Sequence, residues 1–337
     1  MTVSRPGSSS PLVTCMGEAL VDFLPIEENG RTVAFRPHPG GSMLNVVVAM
    51  ARLQGRTALA TKVADDYFGR QLRAYAEGEA VDTRWLLPTD APCTLAFVTF
   101  EDGEPSFTFY GDGAADTLLT PEDLPDALFT ETAILHVGSI ALLRGSTPAA
   151  VVGACERARG RAMLSLDPNI RPGLVRHEAT YRATLERLLG LVDLVKVSVA
   201  DLAWLAPGQG VGEVAEELVA RGSALVVVTR GGAGVLAVRA RATGHEMIEL
   251  PAFPVEVADT VGAGDAFDGG LLTRLAELGV TNRPALEALT ADALCDALRF
   301  AAAVAALNCT QPGADPPRRA EVEAFLAQAA GAGAPCA

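Results

Sequence analysis

The feature that most restricts the fold is a regular alternation of short apolar segments with amphipathic segments between residues 134 and 228. Predicted strands cover 134–137, 162–166, 194–197 and 225–228, and predicted helices cover 147–159, 177–190 and 212–221. Strands joined by helices run parallel, are covered on both faces and follow right-handed crossovers. The pattern therefore predicts an α/β protein with a mostly parallel sheet between layers of helices.

Polar residues and glycines follow each of these strands at its carboxyl end. The segments concerned are 138–139, 167–171, 196–198 and 229–232. Ligands of open α/β sheets bind outside the carboxyl ends of the strands, so the segments predict one shared crevice. Pro168 biases Asp167 away from the helical conformation, which would let Asn169 and Arg171 project into the crevice. An Asx-type turn with an exposed arginine is the alternative.

A glycine-rich turn precedes a helix that starts near Asp265 and ends before Gly279. Gly262, Ala263 and Gly264 therefore lie at a helix N-terminus, where free backbone N–H groups and the helix dipole attract an anion. The carboxylate of Asp265 stands beside that anion site. The combination suits phosphoryl transfer, in which the amides hold the phosphoryl group and the carboxylate orients the attacking hydroxyl. A plain glycine turn with an ordinary first-turn acid is the alternative.

The N-terminal part of the chain offers two further candidates. An apolar strand over 13–24 contains Asp22, which is either a structural carboxylate or one that binds sugar hydroxyls. A predicted turn over 37–42 precedes a helix over 43–54. Asn45 lies in the first turn of that helix, where it could cap the helix or bind a ligand.

Two extended regions interrupt the alternation of strands and helices. A hairpin is predicted from 94–100 and 106–110, and with residues 25–38 it could form a small separate β-sheet. Successive side chains of a strand point to opposite faces, so both faces of this sheet carry apolar residues. We expect one face to close over the substrate as a lid and the other to pair with a second subunit.

Composition excludes several classes of function. The net charge of −14 argues against a nucleic-acid partner, and no apolar run is long enough to span a membrane. The six cysteines form no C-x-x-C pair, which fits a cytoplasmic protein without a zinc site. The only lysines are Lys62 and Lys196, each followed by valine, so there is no Walker A motif. Protein-kinase motifs and a dinucleotide-binding G-x-G-x-x-G after the first strand are also absent.

Several motifs resemble those of one known family. The string D-T-V-G-A-G-D-A-F over 259–267 resembles the C-terminal signature of the PfkB/ribokinase family of carbohydrate kinases, and residues 40–45 resemble its N-terminal signature. The D-P-N-x-R string over 167–171 resembles the fructokinase branch, as does Ser42, where ribokinase-like members carry lysine. The resemblance covers 15–314.

The resemblance implies a ribokinase-like fold, a three-layer α-β-α sandwich with a small β-sheet lid. The kinase core is expected over 12–24, 39–91 and 112–330, the lid over 25–38 and 92–111, and tails over 1–11, which we expect to be disordered, and 331–337.

It also implies roles for individual residues. Asp265 is the expected catalytic base, with the amides of Gly262, Ala263 and Gly264 around the phosphoryl group. The sugar-binding residues would be Asp22, Gly40, Gly41, Asn45, Phe97, Phe109, Asn169, Arg171 and Asp265 itself. The nucleotide-binding residues would be Lys196, Ser198, Thr229, Arg230, Gly231, Gly232, Gly234, Gly262, Gly264 and Asn308. Asp201 would act indirectly on magnesium, and Asp259 would lie near a monovalent cation such as K⁺.

The expected reaction transfers the γ-phosphoryl group of ATP, with Mg²⁺, to a primary hydroxyl of a sugar. D-fructose, giving fructose 6-phosphate, is the expected substrate. A 2-keto-3-deoxygluconate kinase is the first alternative. The carboxylate of 2-keto-3-deoxygluconate would require an additional cationic side chain on the lid side of the site. A ribokinase or adenosine kinase comes next, and a non-catalytic sugar- or nucleotide-binding regulator last. Family members often carry N-x-x-E where this chain has Ser198 to Asp201, which leaves the organisation of magnesium and phosphate open.

Overall fold

The structure is a computed structural model, and it describes residues 10–29, 31–101, 104–241 and 244–330. Most of the two predicted tails, 1–9 and 331–337, lies outside these ranges, as does the tip of the lid hairpin. Within the described ranges, no helix is long and apolar enough to cross a membrane.

The order of strands and helices follows the predicted alternation. The strands are β1 (Leu12–Met16), β2 (Leu20–Glu28), β3 (Arg31–Gly40), β4 (Thr57–Ala64), β5 (Leu86–Thr89), β6 (Leu95–Glu101), β7 (Glu104–Tyr110), β8 (Thr132–Gly138), β9 (Met163–Asp167), β10 (Leu194–Ser198), β11 (Leu225–Thr229), β12 (Val235–Ala240) and β13 (His245–Leu250). The α-helices are α1 (Ser42–Arg52), α2 (Tyr67–Gly78), α3 (Asp126–Glu131), α4 (Thr147–Ala158), α5 (Glu178–Leu189), α6 (Val199–Leu205), α7 (Val211–Ala220), α8 (Ala263–Glu277), α9 (Arg283–Glu287), α10 (Ala291–Asn308) and α11 (Arg319–Ala330).

In the described part of the chain, nine strands form the large sheet, in the order β13-β12-β11-β10-β9-β8-β1-β4-β5. All neighbours from β11 to β5 are parallel, which confirms the predicted parallel sheet. Strands β12 and β13 add an antiparallel edge, which the sequence did not predict. The chain runs outward in both directions from β1, so the strand order reverses beside it. Such a switch point opens a crevice at the carboxyl ends of the strands.

Apolar cores cover both faces of the large sheet. Helices α1, α8 and α10 enclose one core, and helices α4, α5 and α7 enclose the other. Helix α8 lies unusually close to its neighbours, because a Cβ on Gly269 would come within 2.5 Å of Ala49 and one on Gly270 within 2.9 Å of Ala301. Helix α8 is therefore held tightly between α1 and α10, which fixes its N-terminus.

The small sheet has the strand order β3-β2-β6-β7. Its two N-terminal strands, β2 and β3, begin at Leu20 and end at Gly40. They are therefore longer than the predicted lid segment 25–38. The predicted turn over 37–42 was wrong, because β3 continues through Pro37 and Pro39 to Gly40. Strand β3 lies at the edge of the sheet, where a proline without an N–H is tolerated.

Other elements depart from the simple alternation of strands and helices. Strand β13 ends at Leu250, and residues 251–257 carry no regular structure. Strands β5 and β12 and the short helix α6 were not predicted. These elements are short or lie at an edge, so their periodic pattern is weak.

Candidate active site

Asp265 lies in the first turn of α8, and its side chain is buried at 7% exposure. The helix begins after Gly262, which has a left-handed φ of +72°. A Cβ at this position would lie 2.5 Å from the Cβ of Ala314. Glycine is therefore required at the start of the helix for both conformation and space. The Ala263 N–H donates to the Thr260 carbonyl oxygen at 3.2 Å, so among the described residues the next N–H group of the first turn, that of Gly264, is the one placed for an anion.

Three side chains from distant parts of the chain meet at the Asp265 carboxylate. The Ser42 hydroxyl donates to Oδ1 at 2.7 Å, and Asn45 Nδ2 donates to Oδ2 at 2.8 Å. Asn169 Nδ2 lies 3.4 Å from Oδ1 and 3.1 Å from Ser42 Oγ. The structure thus places Asn45 and Asn169, two of the residues expected to bind the sugar, next to Asp265. Ser42 was not predicted as a site residue, although its place between Gly41 and Asn45 at a helix N-terminus was a signal.

Burial and hydrogen bonding act in opposite directions on the pKa of Asp265. Burial raises the pKa of Asp265, while the hydrogen bonds from Asn45 and Ser42 and the charge of Lys196 oppose the rise. A raised pKa brings a general base closer to the pH at which it operates. The donors on its oxygens hold the carboxylate in a fixed orientation.

Asp22 and the glycine pair line the neighbouring wall of the crevice. A Cβ on Gly40 would lie 2.1 Å from Asp22 Oδ2, so the carboxylate rests against the glycine backbone. Gly41 has a φ of +100°, which favours glycine. Burial, with a smaller contribution from the charge of Asp265, raises the pKa of Asp22 to about 7. Asp22 is therefore a buried carboxyl group close enough to Asp265 to feel its charge.

The two predicted lid aromatics lie on opposite faces of the small sheet. Phe109 pairs with Ala96, which pairs with Asp22, so these three share one face. Phe97 belongs to the other face, where it stacks on Phe23 with ring centroids 4.7 Å apart. Of the two aromatic residues expected to bind the sugar, Phe109 therefore lies on the same face as Asp22 and Phe97 lies on the opposite face.

Arg171 extends the Asn169 side of the site. Its Nη1 donates to Asn169 Oδ1 at 2.6 Å, which holds the amide oxygen so that Nδ2 points at Asp265. Asn169 has a φ of +41°, a conformation that asparagine adopts more readily than most residues. The arginine therefore orients Asn169.

The predicted nucleotide-binding segment 229–234 is a glycine turn after β11. Gly231 and Gly234 have positive φ values of 53° and 87°, and a Cβ on Gly234 would lie 2.0 Å from the Leu250 carbonyl oxygen. Gly231 and Gly232 are exposed, and the Arg230 guanidinium pairs with Glu249 at 2.9 Å. Thr229 ends β11, its hydroxyl 3.4 Å from the Val197 carbonyl oxygen. The turn is open to a ligand along its glycine backbone.

Asn308 lies at the end of α10 and is fully buried. Its Nδ2 donates to the Val261 carbonyl oxygen at 2.8 Å, and its Oδ1 has no partner within the described residues. Asp259 accepts from the backbone N–H groups of Val261 and Gly313, at 3.1 and 2.8 Å. Asn308 and Asp259 therefore fasten the segment that leads into Gly262.

Of three residues predicted at the nucleotide or metal, Lys196 and Asp201 are buried and Ser198 is half-buried. The Lys196 side chain is 4% exposed and pairs with Asp167. Both carboxylate oxygens of Asp201 are occupied, Oδ1 by the backbone N–H of Ile170 and Oδ2 by the N–H and hydroxyl of Ser198. Asp201 and Ser198 thus form the N-terminal cap of α6. This geometry gives these residues supporting positions and shows no direct approach to a nucleotide for Lys196.

A model of the pfkB family of carbohydrate kinases matches residues 10–320. The chain belongs to this family. Among relatives, a fructokinase from Klebsiella pneumoniae is 39% identical over 305 residues, which cover 89% of this chain and 93% of the relative. The present chain has the ribokinase-like fold that the sequence predicted, and it belongs to the carbohydrate kinases by class of enzyme.

Solved structures of fructokinases share the fold over almost the whole chain. Fructokinase with bound ATP from Xylella fastidiosa has a TM-score of 0.86 at 32% identity and covers 95% of this chain and 99% of its own. A double mutant of fructokinase from Vibrio cholerae, in a form that binds fructose, ADP and potassium ion, has a TM-score of 0.81 at 32% identity, with coverages of 95% and 99%.

Proposed function

We propose that this pfkB-family kinase transfers the γ-phosphoryl group of ATP to the primary hydroxyl of D-fructose and produces fructose 6-phosphate. The observation that carries the proposal is the buried Asp265 carboxylate, held by Ser42, Asn45 and Asn169 beside a free helix N-terminus. The fructokinase names of relatives that match most of the chain support fructose as the acceptor.

In the proposed reaction the hydroxyl oxygen of the sugar attacks the γ-phosphorus, and the bond from that phosphorus to the bridging oxygen of ADP breaks. Asp265 accepts the proton of the attacking hydroxyl, which leaves late in a loose transition state. The backbone N–H group of Gly264, with the positive end of the α8 dipole, stabilises the negative charge that develops on the phosphoryl oxygens. Asp22 and Asn169 orient the sugar by accepting and donating hydrogen bonds.

The nucleotide would lie along the glycine turn 229–234 and along the segment before Gly262, which Asn308 and Asp259 hold by hydrogen bonds. Magnesium would neutralise charge on the phosphates and would be held mainly through them and through water. This assignment fits the donor set, since the described residues contain no group of three or more His, Cys, Asp or Glu side chains that could hold a metal. Asp259 would hold its loop next to a monovalent cation, as proposed from the family resemblance.

A coupled assay over a sugar panel tests the proposal. The purified enzyme with ATP and Mg²⁺ is offered fructose, ribose, 2-keto-3-deoxygluconate and adenosine, and ADP release is followed. Phosphoglucose isomerase and glucose-6-phosphate dehydrogenase then report fructose 6-phosphate but not fructose 1-phosphate. A higher kcat/KM for another acceptor would reject fructose, and ATP turnover with none of them would favour the non-catalytic regulator.

We further propose that a surface made of Phe97, Tyr110 and Val33 of the small sheet and Tyr67 at the start of α2 pairs with a second copy of the chain. Tyr110, Tyr67 and Val33 are 64%, 63% and 53% exposed. Phe97 packs edge-on against Tyr110, with ring centroids 5.7 Å apart. Sedimentation of the wild type and of Tyr110→Asp would show a dimer that the substitution dissociates. A wild-type monomer would reject the pairing.

A cytoplasmic location stays a prediction.

A further inference from the structure

A buried cluster of three titratable residues, Lys196, Asp167 and Asp268, lies next to the site and takes no part in the mechanism above. Lys196 in β10 places its Nζ 2.6 Å from Asp167 Oδ2 and 3.1 Å from Asp268 Oδ2. The three side chains are 4%, 1% and 2% exposed. Burying an ammonium group is costly unless it is paired, so a cation in this place is expected to have a function or a strict structural role.

Each partner of Lys196 belongs to a segment that carries a residue of the site. Asp167 accepts the backbone N–H of Asn169 through Oδ1 at 3.0 Å. Asp268 lies three residues after Asp265, one turn along α8. One ammonium group therefore ties the turn that presents Asn169 to the helix that presents Asp265.

Lys196 also touches the glycine loop itself. A Cβ on Gly264 would lie 3.0 Å from Lys196 Nζ. The positive charge thus sits directly behind the backbone that is proposed to bind the phosphoryl group. A cation in a dry interior acts on nearby charges more strongly than one in water.

The charges of the cluster are unequal. Burial opposes ionisation of Asp167, but the ammonium of Lys196 outweighs it and holds the pKa of Asp167 below its usual value. Burial raises the pKa of Asp268 well above its usual value, although the charge of Lys196 opposes the rise. Ionisation is therefore favoured at Asp167 and disfavoured at Asp268, while both carboxyl groups lie within 3.1 Å of the Lys196 Nζ.

We propose that Lys196 is a positioning residue for phosphoryl transfer, because its ammonium group fixes the Asn169 turn, the Gly264 backbone and the first turns of α8 relative to one another. This role rests on the proposed kinase reaction. Misplacement of a catalytic group by about 1 Å can cost about 10²-fold in rate. Loss of the lysine should therefore lower kcat by about 10²-fold and alter the KM for ATP much less.

The charged and titratable groups that influence Asp265 come from several elements. They are Asp22 of β2, Asp167 of β9 and Lys196 of β10, and the neutral thiol of Cys15 in β1 lies close to both Asp265 and Asp268. Lys196 is the cation among these described groups. Its removal should move the acidic limb of the kcat profile to higher pH, an effect that a purely structural residue would not produce.

Lys196→Met tests the role, with Lys62→Met as the matched control. Lys62 lies in β4, outside the site, and its Nζ is 2.7 Å from Asp123 Oδ2. Its substitution should therefore leave kcat and the pH profile unchanged. For Lys196→Met we expect the loss of kcat and the shifted acidic limb on whichever sugar the wild type prefers. Wild-type kcat, or an unshifted limb in a folded variant, would overturn the role.

A second variant covers the case in which Lys196→Met does not fold, because Asp167 would then be a buried charge without a partner. Lys196→Met combined with Asp167→Asn removes both charges and leaves an amide oxygen for the Asn169 N–H. Positioning by the lysine predicts a folded protein whose kcat stays at least about 10-fold low. Recovery of wild-type kcat in this variant would show that the pair serves folding alone. A wild type inactive on every sugar would instead reject the proposed function and this role with it.

Discussion

The burial of Glu18 allows a prediction of how the free energy of unfolding changes with pH. Its side chain is 1% exposed, lies against the Gly41 backbone, and accepts the backbone N–H of Ser42 at 2.9 Å. Burial raises the pKa of Glu18 from 4.5 to about 7, and the hydrogen bonds from Ser139 and Ser42 only partly oppose the rise. Between pH 4.5 and about 7 the folded protein therefore retains at Glu18 a proton that the unfolded chain has mostly lost.

The sign of the pH effect follows from proton binding. Between pH 4.5 and about 7 the folded state holds more protons at Glu18 than the unfolded state, so the free energy of unfolding falls as the pH rises and is constant above the folded pKa. Between pH 5.5 and 8 this contribution amounts to about 2 kcal/mol. Glu18→Gln keeps an acceptor for the Ser42 N–H and removes the titration.

Urea unfolding of the wild type and of Glu18→Gln at pH 5.5 and pH 8 measures the effect. The fluorescence of Trp85, which is buried, reports the transition. The stability of the variant relative to the wild type should rise by about 2 kcal/mol from the lower to the higher pH. Other buried carboxyl groups titrate alike in both proteins and cancel. An equal difference at both pH values would refute the reasoning, because Glu18 would then titrate as an exposed glutamate does.

Three further predictions concern the site and the lid. Asp265→Asn should lower kcat by about 10²-fold or more while leaving sugar binding by calorimetry nearly intact; a near-wild-type kcat would remove Asp265 from the mechanism. Gly264→Val should lower kcat by about 10²–10³-fold, because its side chain would displace Lys196 Nζ, only 3.0 Å from a Cβ there, and crowd the anion site; lost stability with unchanged kcat would make the loop merely structural. Sugar binding should slow hydrogen exchange in 25–38 and 93–110 more than in β9 or β11, and equal protection everywhere would show that the small sheet is no lid.

Local features of the sequence were sufficient to predict the phosphoryl end of the site. A helix N-terminus, the two glycines and Asp265 are all contained within 262–265, so their relation depends on helix geometry alone. The parallel sheet was predictable for a similar reason, since each strand and helix carries its own apolar period. The family motifs then linked these local patterns to a carbohydrate kinase.

Tertiary structure decided which side chains meet. Ser42 and Asp265 are 223 residues apart in the sequence, and only the packing of α1 against α8 brings the hydroxyl to the carboxylate. The face on which Phe97 lies depends on the register between β2 and β6, which a residue count along one strand does not give.

Lys196 shows the same division between sequence and structure. The sequence placed it at the carboxyl end of a strand, where a nucleotide contact was a reasonable prediction. The fold instead surrounds it with Asp167 and Asp268, from one strand and one helix that are distant in the sequence. Periodicity and local turn chemistry determine where elements begin and which ends carry polar groups. Burial and pairing of charge depend on which elements become neighbours, and that is settled only when the whole chain has folded.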